Sequence, residues 1–266
     1  MFSNHFNLGQ QQLHLAGAEC DGDLPQRVTG SIGLTVPSLQ RIRERLENAK
    51  SVLKGSLFSV GDDEDSNILT VSCPWGNVFH LYDICVDDEY LLEDSASLSS
   101  QKMAVFHSRR GVYGPHRMAV RGNPGIRYVE IACRVGTVDS IADFYEKLLG
   151  CHVTRINESG AATVCVGPGV HSLTFVENER LTECSLISMN GVHLCIYIPK
   201  FELTYKALKE RNLIWTNPRF THLDSCETWE ECLSTRTFRF KDILDLKTGE
   251  KILELEHETR PMLHGQ

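Results

Sequence analysis

Residues Thr137–Gly150 read TVDSIADFYEKLLG, and their spacing decides the fold. Apolar side chains fall at Ile141, Phe144, Tyr145, Leu148 and Leu149. That is the i, i+3, i+4, i+7, i+8 stripe of a helix with one buried side. Thr137 or Asp139 can cap its start, and Gly150 suits the left-handed residue that ends it. Working outward, Ile126–Val135 has the composition of a strand. Three more short strands follow at Cys151–Ile156, Ala162–Val166 and His171–Glu177, the last two separated by a turn at Gly167, Pro168 and Gly169. The order is strand, helix, strand, strand, strand.

The same order recurs on both sides. From Gly191 come a strand at Val192–Ile198, a helix at Phe201–Arg211 carrying Leu203, Ala207 and Leu208, and strands at Thr237–Phe240 and Lys251–Glu256. From Gly30 come Ser31–Val36, a helix at Ser38–Asn48 with Leu39, Ile42 and Leu46, and strands at Ser56–Val60, Ile68–Val71 and Val78–Tyr82. Phe6–Leu15 (FNLGQQQLHL) resembles Val166–Phe175 (VGPGVHSLTF), so it reads as the last strand of a fourth unit whose beginning is missing. A period of roughly 55–80 residues is too long for a solenoid and suits paired supersecondary units. The expected fold class is α+β: tandem βαβββ modules paired into curved mixed and antiparallel sheets around a cleft, with an incomplete N-terminal module. The expected domains are 1–84, a linker at 85–124 and a C-terminal module pair at 125–266. The linker combines acidic residues (Asp87, Asp88, Glu89), a Ser-rich run and basic residues (Arg109, Arg110, Arg117, Arg121).

A chain of 266 residues with 41% hydrophobic and 23% charged residues can bury a core without disulfide or metal staples. Its net charge of −8 opposes nucleic-acid binding, which draws on clustered Lys and Arg. The longest apolar run, Val192–Ile198, contains His193 and is too short to span a bilayer. The N-terminal residues lack a basic-then-apolar signal pattern, so a cytoplasmic location without membrane partners is expected. Ten cysteines spread over such a chain read as reduced, buried thiols, Cys165 and Cys195 among them, and the Cys226/Cys232 spacing fits no zinc-finger pattern.

FYEKLLG, the PWGN turn before Val78 and the strand ending ELEHE together resemble the vicinal-oxygen-chelate superfamily of glyoxalases, bleomycin-resistance proteins and extradiol dioxygenases. QQLHL, CPWGN and LEHE in this order look like a group of two-domain, glyoxalase-like proteins. The resemblance implies two modules pairing into a cleft, with a divalent metal (Fe, Mn, Ni or Zn) held by residues of first and last strands. Carried over by register, the implied ligands are Glu130, fourteen residues before Phe144, then His193, and Glu256 in preference to Glu254. A carboxylate such as Glu254, or a metal ligand that dissociates, is then what moves a proton. Ser31 occupies the position matching His193, and only His80 and His14 fall at or near ligand positions in the N-terminal half, which is therefore expected to be structural. The implied function is a metal-dependent lyase, isomerase or dioxygenase acting on a small oxygenated molecule in the C-terminal cleft, in a chain that could form a homodimer. The competing readings are a metal-free small-molecule binding protein of the bleomycin-resistance type and a structural member without a site. Taken without the register, Glu130 is a solvent-facing edge residue and His193 a hydrogen-bonded core histidine.

Overall fold

A computed structural model of the chain describes residues 3–8, 11–17, 24–62, 68–83, 125–156, 159–166, 171–219 and 221–262. The expected linker 85–124 and the Gly167–Gly169 turn lie outside them. The described residues gather into two compact units, one drawn from Met1–Glu130 with Gly167–Ser172, the other from Ile131–Val166 with Leu173–Gln266. Among the described residues no helix is long and apolar enough to cross a membrane.

The first unit opens with a hairpin, β1 (Ser3–Leu8) and β2 (Gln11–Ala16), antiparallel with His5 opposite His14. Where one strand is expected from the sequence, two stand. Next come β3 (Ser31–Val36), α1 (Leu39–Ala49), β4 (Ser59–Asp62), β5 (Ile68–Ser72) and β6 (Val78–Asp83). The strands lie in the order β4-β5-β6-β3, and β3 runs parallel to β6. Parallel neighbours need a long crossover, and α1 begins it, its first turn capped by the Ser38 hydroxyl accepting from the Arg41 N–H. Leu69, Val71 and Leu81 form the core, with Leu34, Leu39, Ile42, Leu46 and Phe79 packed against them.

The far edge of β3 pairs antiparallel with β7 (Gly125–Cys133). The register runs Ile32 opposite Val129 and Gly33 opposite Tyr128, then jumps to Leu34 opposite Ile126. Arg127 is the extra residue of this β-bulge, a device that re-aims side chains.

The second unit holds the third repeat: the C-terminal residues of β7, α2 (Val138–Phe144), β8 (Val153–Ile156), β9 (Ala161–Cys165) and β10 (Ser172–Glu177), in the order β7-β10-β9-β8. The five stripe residues of α2 and its continuation are buried, Ile141, Phe144 and Tyr145 completely. The helix widens into a π turn over Tyr145–Leu149 and stops at Gly150, φ 70°. Its start is capped differently from the expectation. The Thr137 hydroxyl makes no cap bond, and the Glu177 carboxylate on β10 accepts from the Val138 N–H at 3.1 Å.

After the short α3 (Glu183–Ile187), the fourth repeat consists of β11 (His193–Ile198), α4 (Phe201–Lys209), α5 (Thr221–Asp224), α6 (Trp229–Thr235), β12 (Phe238–Leu244) and β13 (Lys251–Pro261). Their sheet order is β11-β13-β12, with β11 parallel to β13. A βαβββ unit would place one more strand beside β12. Here that strand is reduced to a single bridge between Ile214 and Phe240, and α5 and α6 fill the connection. The second, third and fourth repeats thus share one plan, first strand beside last, and the fourth is one strand short.

The candidate functional site

In the first unit, side chains alternate across β3, β6 and β7, which puts Gly33, Thr35, His80, Tyr82, Tyr128 and Glu130 on one face. The Tyr128 hydroxyl lies 2.8 Å from His80 Nδ1 and 3.2 Å from the Tyr82 hydroxyl. The bulge turns Arg127 to the same face, and its guanidinium carbon stands 4.3 Å from the centre of the Tyr82 ring, a cation–π distance. All four side chains are half-buried. Tyr128 crosses over Gly33, where a Cβ would meet ring atom Cε1 at 2.4 Å; only the missing side chain lets the ring lie there. Burial first, then the Tyr82 hydroxyl, push the Tyr128 phenol well above its ordinary value. Tyr128 is therefore a neutral hydrogen-bond donor at physiological pH. Glu130, two residues along β7, acts electrostatically on the same phenol. The cluster joins His80 and Tyr82, from the half expected to be structural, to Arg127 and Tyr128 at the start of the expected C-terminal module pair.

Gln11, the first residue of β2, is tied to β7 of the same unit. Its side-chain oxygen accepts from the Ile126 N–H at 3.3 Å, and its amide nitrogen lies 3.2 Å from His171 Nε2. His171 Nδ1 donates to the Ile126 carbonyl at 2.7 Å.

In the second unit, His193 and Glu256 are partners in register on adjacent parallel strands. Two of the three implied ligands stand together. Both Glu256 oxygens are nevertheless engaged: Arg239 Nη1 donates to Oε1 at 2.8 Å and the Asn217 amide donates to both oxygens, at 3.0 and 3.2 Å. Arg239, 5% exposed at its side chain, also binds Asp224 (2.8 Å) and Glu258 (2.6 Å). Glu258 accepts from Arg260 Nε at 2.7 Å and from the Cys195 thiol at 3.7 Å. Burial opposes the charge of Glu258, but Arg239 and Arg260 hold its carboxyl below the usual range, and Glu258 and Asp224 in turn hold Arg239 charged. Glu254 is exposed and paired with Lys251 and Lys241, Lys251 contributing most to a lowered carboxyl. Glu130 belongs to the other unit.

The implied set Glu130, His193 and Glu256 therefore does not fit a metal ion as it stands, since a cation at Glu256 would have to displace an arginine and an asparagine. Among the described residues no three His, Cys, Asp or Glu side chains converge as a cation site. Two thiols expected to be buried, Cys165 and Cys195, are exposed at the residue level. Burial of the sulfur's surroundings, then the neighbouring Glu258, push the Cys195 thiol up to about 12, so it is not an activated nucleophile.

His257, between Glu256 and Glu258, points to the opposite face. Its Nδ1 donates to the Leu255 carbonyl at 2.8 Å, which leaves Nε2 to accept from the Tyr145 hydroxyl at 2.7 Å. It stacks on Phe240 at 4.3 Å and is a core residue.

No family model and no curated protein matches the chain. Similar solved structures include glyoxalase I from Zea mays, 14% identical, covering 88% of this chain and 67% of its own with a TM-score of 0.42. A possible glyoxalase from Bacillus cereus is 15% identical, covering 51% and 97% with a TM-score of 0.33. A glyoxalase/bleomycin resistance protein/dioxygenase from Alicyclobacillus acidocaldarius is 19% identical, covering 50% and 89% with a TM-score of 0.29. Likeness at this level hands over no residue role.

Proposed function

We propose that this chain binds a small oxygenated molecule without a bridging metal, and that the ligand's oxygens are held by Tyr128, Tyr82 and Arg127 in the first unit. The observation that carries this reading is the Tyr128 ring laid over Gly33 toward His80. A bulge and a side-chain-free position are devices that aim a residue rather than fill a core. Two phenols supply hydroxyls and apolar ring faces, the guanidinium suits a carbonyl or carboxylate oxygen, and His80 holds the Tyr128 hydroxyl in place beside them. The second unit's charged face offers less, because its carboxylates already neutralise arginines. This favours the metal-free binding reading of the glyoxalase-like resemblance over a metal-dependent lyase, isomerase or dioxygenase.

Catechol and pyruvate, each carrying neighbouring oxygens, serve as probes. Saturable binding by NMR or calorimetry, weakened about tenfold by Tyr128→Phe, which removes roughly one hydrogen bond, supports the reading. Near-stoichiometric metal in the purified protein, lost in both His193→Ala and Glu256→Ala, would overturn it in favour of a metal centre on the second unit.

A further inference from the structure

Cys226 and Cys232 are both free and completely buried. The Cys232 thiol donates to the Cys226 carbonyl at 3.5 Å, which sets the Cys232 side chain directly against Cys226. The Cys226 sulfur also approaches the Trp215 carbonyl (3.4 Å) and the Thr216 hydroxyl (3.5 Å). Cys226 precedes α6 and Cys232 lies within it, so the pair spans the helix start. That helix has seven residues, with Glu230, Leu233 and Ser234 exposed. A short surface helix opens locally at small cost, which gives a small oxidant access.

We propose that Cys226 and Cys232 are a reversible oxidation site, joined as a disulfide by hydrogen peroxide. In the first step the Cys226 sulfur attacks the peroxide oxygen; the O–O bond breaks, a sulfenic acid forms at Cys226 and one water leaves. Cys232 then attacks that sulfur, its proton leaves with the hydroxyl as a second water, and the S–S bond closes. The dithiol loses two electrons and the peroxide is reduced to two waters. Cys226 is suited to the first step. The Cys232 thiol beside it, opposed by burial and reinforced by Thr216, brings it down to about 7, whereas the same neighbour relation raises Cys232, and the thiolate is the attacking form.

The site is coupled to the charged face of the second unit. The Thr216 hydroxyl accepts from the Cys226 N–H at 3.2 Å, and the next residue, Asn217, holds Glu256. Asp224, two residues before Cys226, holds Arg239. Drawing the sulfurs to bonding distance pulls on both segments.

The test uses the full chain and a few equivalents of hydrogen peroxide, followed by alkylation and peptide mapping. The tryptic peptide 220–236 contains both cysteines and no others. The disulfide appears as a loss of two hydrogens and, after cleavage at the glutamates between them, as a linked pair that the reductant TCEP separates. In Cys232→Ala, dimedone should trap sulfenic acid at Cys226, and intrinsic fluorescence of Trp215 and Trp229 should change reversibly in the native sequence but not in Cys226→Ala. Free thiols at 226 and 232 after peroxide has oxidised the exposed Cys165 and Cys184 would overturn the proposal. The mapping needs only the native sequence and no ligand, so it stands apart from the binding reading above.

Discussion

A Cβ added to Gly33 would stand 2.4 Å from Cε1 of the Tyr128 ring, so the identity of one residue on β3 sets the position of another on β7. The backbone of Gly33 needs no glycine for its dihedral angles, since its φ is not among the positive ones. Only the space above it does.

Gly33→Ala should therefore displace the Tyr128 ring, break its bond to His80 and destabilise the first unit by about 1–3 kcal/mol, the usual scale of overpacking. In a Tyr128→Ala background the same substitution should cost little. Urea denaturation of the two single variants and the double variant gives the coupling energy. Additivity within about 0.5 kcal/mol would show that the ring is not seated on Gly33.

Much of this was legible before the structure. The stripe Ile141, Phe144, Tyr145, Leu148 and Leu149 announces a buried helix face because each choice depends only on neighbours one or two turns away. The strands expected at Ser31–Val36 and Ile68–Val71 are equally readable from their β-branched composition. The polar clusters were not. Arg127 reaches Tyr82 because β7 bulges against β3, and register between two strands leaves no mark on either alone. Arg239 sits in the strand run TFRF, where it looks exposed; its three carboxylates come from α5 and β13, far away in sequence. One missed signal was local. Thr228-x-x-Glu231 is a capping box, with the Thr228 hydroxyl accepting from the Glu231 N–H at 3.2 Å and the Glu231 carboxylate from the Thr228 N–H at 2.8 Å, and it marks the start of α6 between Arg211 and Thr237, where the sequence reading places no element.

That box makes a second test. Thr228→Ala should destabilise the second unit by about 1 kcal/mol, the typical loss for an N-cap, while Thr228→Ser should be close to neutral. Hydrogen exchange of the α6 amides is the sharper measurement, since protection should fall there before it falls in β13. Unchanged exchange at Glu231 would remove the cap from the account.

Arg239 is a starker case. Replacing it with Met leaves Asp224, Glu256 and Glu258 buried without their shared counter-ion, and breaking a buried ion pair from one side costs about 3–5 kcal/mol. Arg239→Lys should recover only part of this, because one ammonium cannot reproduce the guanidinium fork. The deficit should shrink on acidification, as protonation removes the repulsion among the carboxylates. Denaturant midpoints at neutral pH and near pH 5 decide the matter. A loss under 1 kcal/mol at neutral pH would mean that the network is dispensable.

His257 gives a pH dependence of a different origin. Complete burial lowers its imidazole to about 4 from an ordinary 6.5, while its two hydrogen bonds fix the neutral tautomer. Between these values the unfolded chain binds a proton that the folded chain refuses, so stability rises with pH across that window. The contribution is nil above about pH 6.5 and grows, as pH falls toward 4, to a loss on the order of 3 kcal/mol. Glu258, held low by Arg239 and Arg260, adds its own loss only as pH falls below the ordinary glutamate range. His257→Gln can still accept from Tyr145 but does not titrate. Its stability between pH 4 and 6.5 should be flatter than that of the native sequence, with the two profiles parallel above. Equal slopes in the acid window would mean that His257 is protonated inside the fold, and the tautomer drawn from the Leu255 and Tyr145 bonds would then be wrong.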